Sequence, residues 1–177
     1  MTTDEPDLGQ VLGAHLVSLD LTATSRVEAI GELTDLLVAD GRVTDAALFV
    51  ADVQAREAQG PTGLGQGVAI PHGKSRAVAT TSLAVGRCRT PLAWPSLDGG
   101  DVDVIILFAV REDDADSTHL RLLQQVARLL AHEEFLGQLH RVRTPHELVA
   151  LFADDPENTG RSAAPNEPTH EPTRPAK

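Results

Sequence analysis

Residues 56–76, REAQGPTGLGQGVAIPHGKSR, carry the pattern that decides the fold and the candidate site. Four glycines fall within eight residues and lead into an apolar run, 68–70, that Pro71 ends. Such a run bounded by turn residues predicts a short buried strand with His72 at its end. Glycine backbone can take positive φ angles, and successive amides of such a loop can hold an anion. The pattern therefore indicates phosphate chemistry at His72.

Two common nucleotide-binding patterns do not match this stretch. Lys74 follows the histidine, so the G-x-x-x-x-G-K-[ST] spacing of a phosphate-binding P-loop is not formed. The segment G-L-G-Q-G lacks the wider final spacing of a dinucleotide fingerprint and leads into a strand instead of a helix. Glycine-rich turns and structural histidines are common, so the pattern by itself leaves a purely structural role open.

Residues 56–74, of the form REAxxPTGLGxGVAIPHGK, closely resemble the active-site segment of one family. It is the fructose/mannitol-type (type 2) enzyme IIA domain of the bacterial phosphoenolpyruvate-dependent sugar phosphotransferase system. The resemblance extends from about residue 17 to 152 and includes a second histidine in a segment of the form HLxLLxxxAxLL. It implies that His72 accepts a phosphoryl group on Nε2 from the carrier HPr and passes it to the IIB domain of a sugar permease.

The resemblance also implies supporting residues. Arg56 matches an arginine that lies close to the phosphorylated histidine, although a solvated arginine favoured by the helix dipole is the alternative. His119 matches the second histidine, which otherwise reads as a surface residue in the first turn of a helix. Phosphate-binding groups are expected at Thr62, Gly63, Gly65, Gly67 and Gly73. No metal and no cofactor are expected, because the phosphohistidine donor is already activated.

Two alternative functions stay open at this point. The nitrogen-related branch of the family has much the same GLGxGVAIPHG segment and binds target proteins according to its phosphorylation state. A metal hydrolase would use His72 and His119 with one of Asp113, Asp114 or Asp116. Histidines without a short ligand spacing make a zinc site a weak interpretation. The sequence does not identify the sugar.

Composition limits the cellular setting. The 177 residues carry a formal net charge of −11, which argues against nucleic acid and anionic membranes as partners. The longest apolar run, residues 104–110, is far shorter than the roughly 20 residues of a membrane-spanning helix, and the N-terminus does not have the pattern of a signal peptide. A cytoplasmic protein is predicted. The single cysteine, Cys88, excludes an internal disulfide.

One domain is predicted at residues 11–153, between a flexible N-terminus (1–10) and a disordered Pro-rich tail (154–177) that lacks large apolar residues. Strands are predicted at residues 17–21, 68–70, 83–87 and 102–110, the last one central and covered on both faces. Helices are predicted to begin at Thr24 or Ser25, Thr44 or Asp45, Ser117 or Thr118, about residue 133, and Thr144. Val27, Ile30, Leu33 and Leu37 fall on one face of the first helix. The fold class is α/β, a three-layer α/β/α sandwich with a small mixed β-sheet.

Overall fold

The computed structural model describes residues 7–154, so the first six residues and positions 155–177 of the predicted tail lie outside the described chain. The helices are α1 (Leu8–Val11), α2 (Arg26–Ala39), α3 (Ala46–Gln59), α4 (Asp116–Leu130), α5 (Glu133–Leu139) and α6 (Pro145–Ala153). The strands are β1 (Val17–Leu21), β2 (Gly63–Gly65), β3 (Val68–Ala69), β4 (His72–Ser75), β5 (Ser82–Leu92) and β6 (Val102–Arg111). No helix of the described residues is long and apolar enough to cross a bilayer.

Strand β6 forms the centre of a six-stranded mixed sheet. The strand order is β1-β5-β6-β3-β2, and β4 also pairs with β6. Strand β5 runs antiparallel to β6, whereas β3 and β4 run parallel to it. Eight of the ten residues of β6 are buried, the exceptions being Asp103 and Arg111. The predicted central strand and the mixed sheet are confirmed.

Helices α2 and α3 cover one face of the sheet. Gly86 of β5 packs so closely on α2 that a Cβ there would lie 2.9 Å from Leu33 Cδ2. Gly73 of β4 packs on α3 in the same way, and its Cβ would lie 2.8 Å from Val53 Cγ2. The two glycines pair with β6 residues four positions apart, which face the same side of the sheet.

Helices α4 and α5 cover the opposite face. Val68 of β3 lines a groove together with Leu130 of α4 and Leu136 of α5. Arg87 of β5 donates to the backbone carbonyl of His140, directly after α5, at 3.1 Å. The sheet thus lies between two helical layers, and the predicted three-layer α/β/α sandwich is confirmed.

Local caps fix three helix starts as predicted. Ser25, Asp45 and Thr144 each accept a hydrogen bond from the backbone N–H three residues further on, at 3.2, 3.0 and 3.2 Å. These bonds satisfy amides that have no partner inside the helix. Gly41, with a φ of +70°, follows the end of α2 as expected for a helix stop.

The start of α4 was predicted wrongly. The helix begins at Asp116, before the expected caps Ser117 and Thr118, and Ala115 at the cap position makes no side-chain hydrogen bond. The first residue of α4 makes a tertiary contact instead, in which the Lys74 ammonium donates to the Asp116 carboxylate at 2.7 Å. Sequence patterns for helix starts depend on local caps and therefore do not detect it.

Val27 and the N-terminus also differ from expectation. Val27 is 53% exposed because it lies at the margin of the buried arc of α2, which contains Ile30, Leu33 and Leu37. Residues 7–10, assigned to a flexible N-terminus, form a cap and the first residues of α1, because Asp7 accepts from the Gln10 N–H and Leu8 is buried.

The tip of the β2–β3 hairpin is held by His140. The tip residues Gly65, Gln66 and Gly67 all have positive φ angles, at 94°, 54° and 79°. Nε2 of His140 lies 3.0 Å from the Gln66 carbonyl, and its Nδ1 lies 3.3 Å from the Asp103 carboxylate. Both partners are acceptors, so the ring can donate to both only when it is protonated. The hydrogen bond with Asp103 is the largest cause that raises the pKa of His140, and burial opposes it.

We predict that His140→Gln lowers stability mainly at low pH. A pKa raised in the folded state adds stability below the unfolded pKa of about 6.5, and this stability is lost as the pH rises through the folded pKa. The gap in unfolding free energy between wild type and variant, measured with urea, should therefore narrow between about pH 5.5 and about pH 8.5. Asp103→Asn should flatten the same pH dependence. An equal difference in unfolding free energy at both pH values would contradict the proposed bonding of protonated His140 to Asp103 and Gln66.

Candidate active site

His72 is the first residue of β4 and pairs with Phe108 of β6. Its neighbour Gly73 faces α3, so the His72 side chain faces α4, where it is only 9% exposed. Nδ1 of the ring lies 3.2 Å from the backbone carbonyl of Ile70. A carbonyl only accepts, so the neutral ring carries its proton on Nδ1 and a lone pair on Nε2.

His119, in the first turns of α4, lies beside this ring. The two ring centroids are 5.1 Å apart, with the planes tilted by 56°. Nε2 of His119 is buried and has no hydrogen-bond partner among residues 7–154. The structure thus brings together the two histidines that the sequence singled out, 47 positions apart. A buried ring nitrogen without a partner is free to bind a polar group that enters beside His72.

The surroundings of both imidazoles lower their pKa values and so favour the neutral form. Burial is the largest cause that lowers the pKa of His72, and the positive charge of Arg56 lowers it further, while Ile70 and Glu57 oppose them. Burial also lowers the pKa of His119, with His72 and then Lys74 as the next causes. A neutral ring keeps the lone pair that a nucleophilic nitrogen needs.

Arg56 lies in the last turn of α3, close enough for its charge to act on both histidines. Its Nη1 donates to the carbonyl of Gly60 at 3.0 Å, which caps the C-terminal end of the helix. Arg56 thus both stabilises the C-terminal end of α3, as the alternative interpretation expects, and supplies a cation near His72. Lys74, which sequence reasoning passed over, is a second cation on the same side of β4, since residues two apart on a strand share a face.

The glycines expected to bind phosphate allow close packing and a tight turn in the structure. Gly73 packs on α3, and a Cβ at Gly63 would lie 2.4 Å from the carbonyl oxygen of Pro95. Gly65 and Gly67 lie at the hairpin tip before Val68, and Val68 is itself four residues along β6 from His72 by strand register, a distance of about 13 Å. The structure therefore does not bring these tip glycines to His72.

An internal carboxylate occupies the turn instead of a ligand. The N–H of Gln66 donates to Asp98 at 2.9 Å, and the N–H of Gly100 donates to the same carboxylate at 2.9 Å. These backbone bonds are the main cause that lowers the pKa of Asp98. The glycine-rich turn does bind an anion, as its pattern indicates, but that anion belongs to the chain.

Thr62, the remaining expected phosphate ligand, is 5% exposed and turns its hydroxyl away from solvent. The hydroxyl donates to the Glu57 carboxylate. Its backbone carbonyl accepts from the Ile70 N–H at 3.0 Å. Thr62 is therefore part of the support beneath His72.

The described part of the chain contains no set of residues suited to bind a metal ion. No group of three His, Cys, Asp or Glu residues there is arranged to hold a metal ion. Asp113, Asp114 and Asp116 are bound by Arg111, Thr81 and Lys74, respectively. The arrangement of these residues does not fit the metal hydrolase alternative.

A family model matches most of the chain. The model for "Phosphoenolpyruvate-dependent sugar phosphotransferase system, EIIA 2" matches residues 10–155. The chain belongs to this family. The matched range includes all six strands and His72, Arg56 and His119, so this EIIA domain is described almost completely by the structure.

A similar protein carries the same domain as part of a longer chain. The "PTS system 2-O-alpha-mannosyl-D-glycerate-specific EIIABC component" of Escherichia coli (strain K12) is 40% identical over 159 residues. The match covers 88% of the present chain, which spans about a quarter (24%) of that relative's length.

Solved structures share the fold of this EIIA domain. The nitrogen regulatory protein IIA-Ntr from Neisseria meningitidis matches with a TM-score of 0.75 and 30% identity, over 81% of this chain and 97% of that chain. Enzyme IIAMTL from Escherichia coli, solved in complex with phosphorylated enzyme IIBMTL, matches with a TM-score of 0.68 and 24% identity, over 81% and 98%. The mannitol protein supports the fold alone.

We predict that Gly73→Ala destabilises this EIIA domain by about 1–3 kcal/mol, the cost of overpacking a core. The added methyl would lie 2.8 Å from Val53 Cγ2 and 3.2 Å from Phe49 Cε2, so β4 must move away from α3. Urea unfolding measures the loss. Gly31→Ala in α2, whose Cβ would meet nothing within 4 Å, is the matched control and should be neutral or stabilising. Equal stabilities of the Gly73→Ala variant and wild type would show that β4 is not packed this tightly.

Proposed function

We propose that this EIIA domain is a phosphocarrier of the cytoplasm. His72 accepts a phosphoryl group from the phosphohistidine of HPr and passes it to the IIB domain of a fructose/mannitol-type sugar permease. The observation that carries the proposal is the buried His72 ring, whose Nδ1 faces the Ile70 carbonyl and which lies beside the ring of His119.

The transfer exchanges one phosphorus–nitrogen bond for another. The lone pair on Nε2 of His72 attacks phosphorus, the bond to the donor imidazole breaks, and its electron pair returns to the donor nitrogen. The Nδ1 proton stays in place, so the Ile70 carbonyl faces an N–H that becomes more acidic as the ring takes up positive charge. Because the transition state is loose, with charge on three peripheral oxygens, positioning and electrostatics are the main contribution of the protein.

Three groups near His72 suit that charge. Arg56 and Lys74 are cations whose fields reach the histidine pair. Nε2 of His119 has no partner among the described residues and can hydrogen-bond a phosphoryl oxygen when it carries a proton. A guanidinium stays charged throughout the transfer, whereas an imidazole can change its protonation.

A regulatory role is the second candidate. It is favoured by the similarity to the nitrogen regulatory protein of Neisseria meningitidis, which covers 97% of that protein. In this role the phosphorylation state of His72 would control binding to proteins other than a permease. A IIB partner and sugar-dependent dephosphorylation would favour transport, and stoichiometric complexes with non-permease proteins would favour regulation.

We predict that His72→Ala abolishes acid-labile labelling by phospho-HPr, because the variant lacks the ring nitrogen that the proposal assigns as the phosphoryl acceptor. The measurement is transfer of radiolabelled phosphate from phospho-HPr, with circular dichroism to show that the fold is retained. His146→Ala, a change in another histidine on α6, is the control and should label like wild type. Full labelling of the His72→Ala variant would refute the assignment.

We predict that Arg56→Ala and His119→Ala differ in a two-step assay with phospho-HPr as donor and a IIB domain as acceptor. Arg56→Ala should slow both steps across the working pH range, because the guanidinium is always charged. His119→Ala should still accept phosphate but pass it on slowly. Wild-type rates in both steps for His119→Ala would return it to the interpretation of a structural histidine.

A further inference from the structure

Glu57 is a buried carboxylate that the proposed transfer does not use. Its side chain is 1% exposed, and one oxygen accepts the hydroxyl of Thr62. The other oxygen lies 3.8 Å from Nη1 of Arg26 and has no hydrogen-bond partner in residues 7–154. Burying a carboxylate is costly unless it is paired and hydrogen-bonded. An incompletely bonded carboxylate next to the His72 segment therefore points to a role beyond stability.

The carboxylate joins three separate parts of the chain. Glu57 belongs to the last turn of α3, and Arg26 is the first residue of α2. The Arg26 guanidinium lies 5.9 Å from the ring centroid of Trp94, which is 4% exposed. Thr62 starts the glycine-rich hairpin, so its hydroxyl ties that hairpin to the end of α3.

A continuous set of hydrogen bonds leads from Thr62 to the His72 ring. The Thr62 carbonyl accepts from the Ile70 N–H at 3.0 Å. The carbonyl of the same residue, Ile70, faces Nδ1 of His72 at 3.2 Å. The side chain of Thr62 is thus held by Glu57, and the backbone carbonyl of Thr62 in turn holds the backbone of Ile70.

We propose that Glu57 and Thr62 are positioning residues that hold the Ile70 carbonyl against Nδ1 of His72. They thereby keep the ring in the tautomer whose lone pair is on Nε2. This inference rests on the proposed function, in which Nε2 accepts the phosphoryl group. An imidazole without a fixed acceptor distributes its proton between the two nitrogens, and only one tautomer can attack.

The test measures the tautomer and the rate together. In Thr62→Val the hydroxyl is lost with little change of shape, so part of the His72 population should move its proton to Nε2. Ring ¹⁵N–¹H correlation spectra at about pH 8, where the ring is neutral, report this directly. Labelling by phospho-HPr should slow by about tenfold, within the roughly hundredfold cost of a small misplacement of a reacting group. Thr62→Ser, which restores the hydroxyl, should recover both readouts.

Thr34→Val is the matched control. Thr34 is 1% exposed, and its hydroxyl donates to the Ile30 carbonyl inside α2 at 2.7 Å, away from His72. This variant should leave the His72 tautomer unchanged. Thr62→Val leaves the Glu57 carboxylate without its hydroxyl donor, and this variant could fail to fold. In that case the double variant Glu57→Leu with Thr62→Val replaces both partners by apolar groups, so that no buried carboxylate is left without a hydrogen bond. The double variant should show the same tautomer shift.

Two results would overturn the positioning role. One is a wild-type tautomer population in both the Thr62→Val and the double variant. The other is an equal slowing of phospho-HPr labelling in Thr62→Val and Thr34→Val while the His72 tautomer is unchanged in both variants. This result would mean that the slower labelling comes from a general loss of stability. If wild-type protein is not labelled by phospho-HPr at all, the transfer proposal fails, while the spectra still decide whether Glu57 and Thr62 fix the ring.

Discussion

Strand β6 (Val102–Arg111) sets the position of the candidate site. Strands β3 and β4 pair with it one after the other in the same parallel register, although Pro71 between them has no N–H to donate. The register continues because the Phe108 N–H donates to the Pro71 carbonyl at 3.0 Å. A slip of one residue would turn His72 from the α4 face to the α3 face of the sheet. The buried central strand therefore decides which helix the histidine meets.

The charge of the chain and the charge of the site have opposite signs. The formal net charge is −11, which repels a phosphoryl group at long range. Arg56 and Lys74 place two cations beside the histidine pair, and the hairpin carboxylates Asp98 and Asp103 are bonded at the far end of the glycine-rich turn. The Lys74–Asp116 ion pair also ties the strand of His72 to the helix of His119. Surface ion pairs add little stability, so position matters more here than strength.

Local signals predicted much of the fold, and tertiary contacts explain the failures. Ser25, Asp45 and Thr144 cap helices through bonds within three residues, so sequence alone found them. Helix α4 starts without a side-chain cap, and its first residue pairs with Lys74, 42 positions away, which no local pattern reveals. The pairing of His72 with His119 came from family resemblance. The glycine pattern predicts a turn that can hold an anion, but it does not reveal that the Gln66 N–H in this turn donates to Asp98, 32 positions further along the chain.

The bond between Nδ1 of His72 and the Ile70 carbonyl has a different consequence in each state of the proposed transfer. Before transfer it fixes the tautomer that can attack. After transfer the same carbonyl faces the proton of a positively charged ring. A neutral carbonyl stabilises that charge less than a carboxylate would, since charge-assisted bonds are about twice as strong. A carrier that bound its phosphoryl state too tightly would raise the barrier to the next transfer, because only interactions stronger in the transition state speed it. In the proposed transfer, a neutral carbonyl at this place would thus orient the ring without trapping the phosphorylated form.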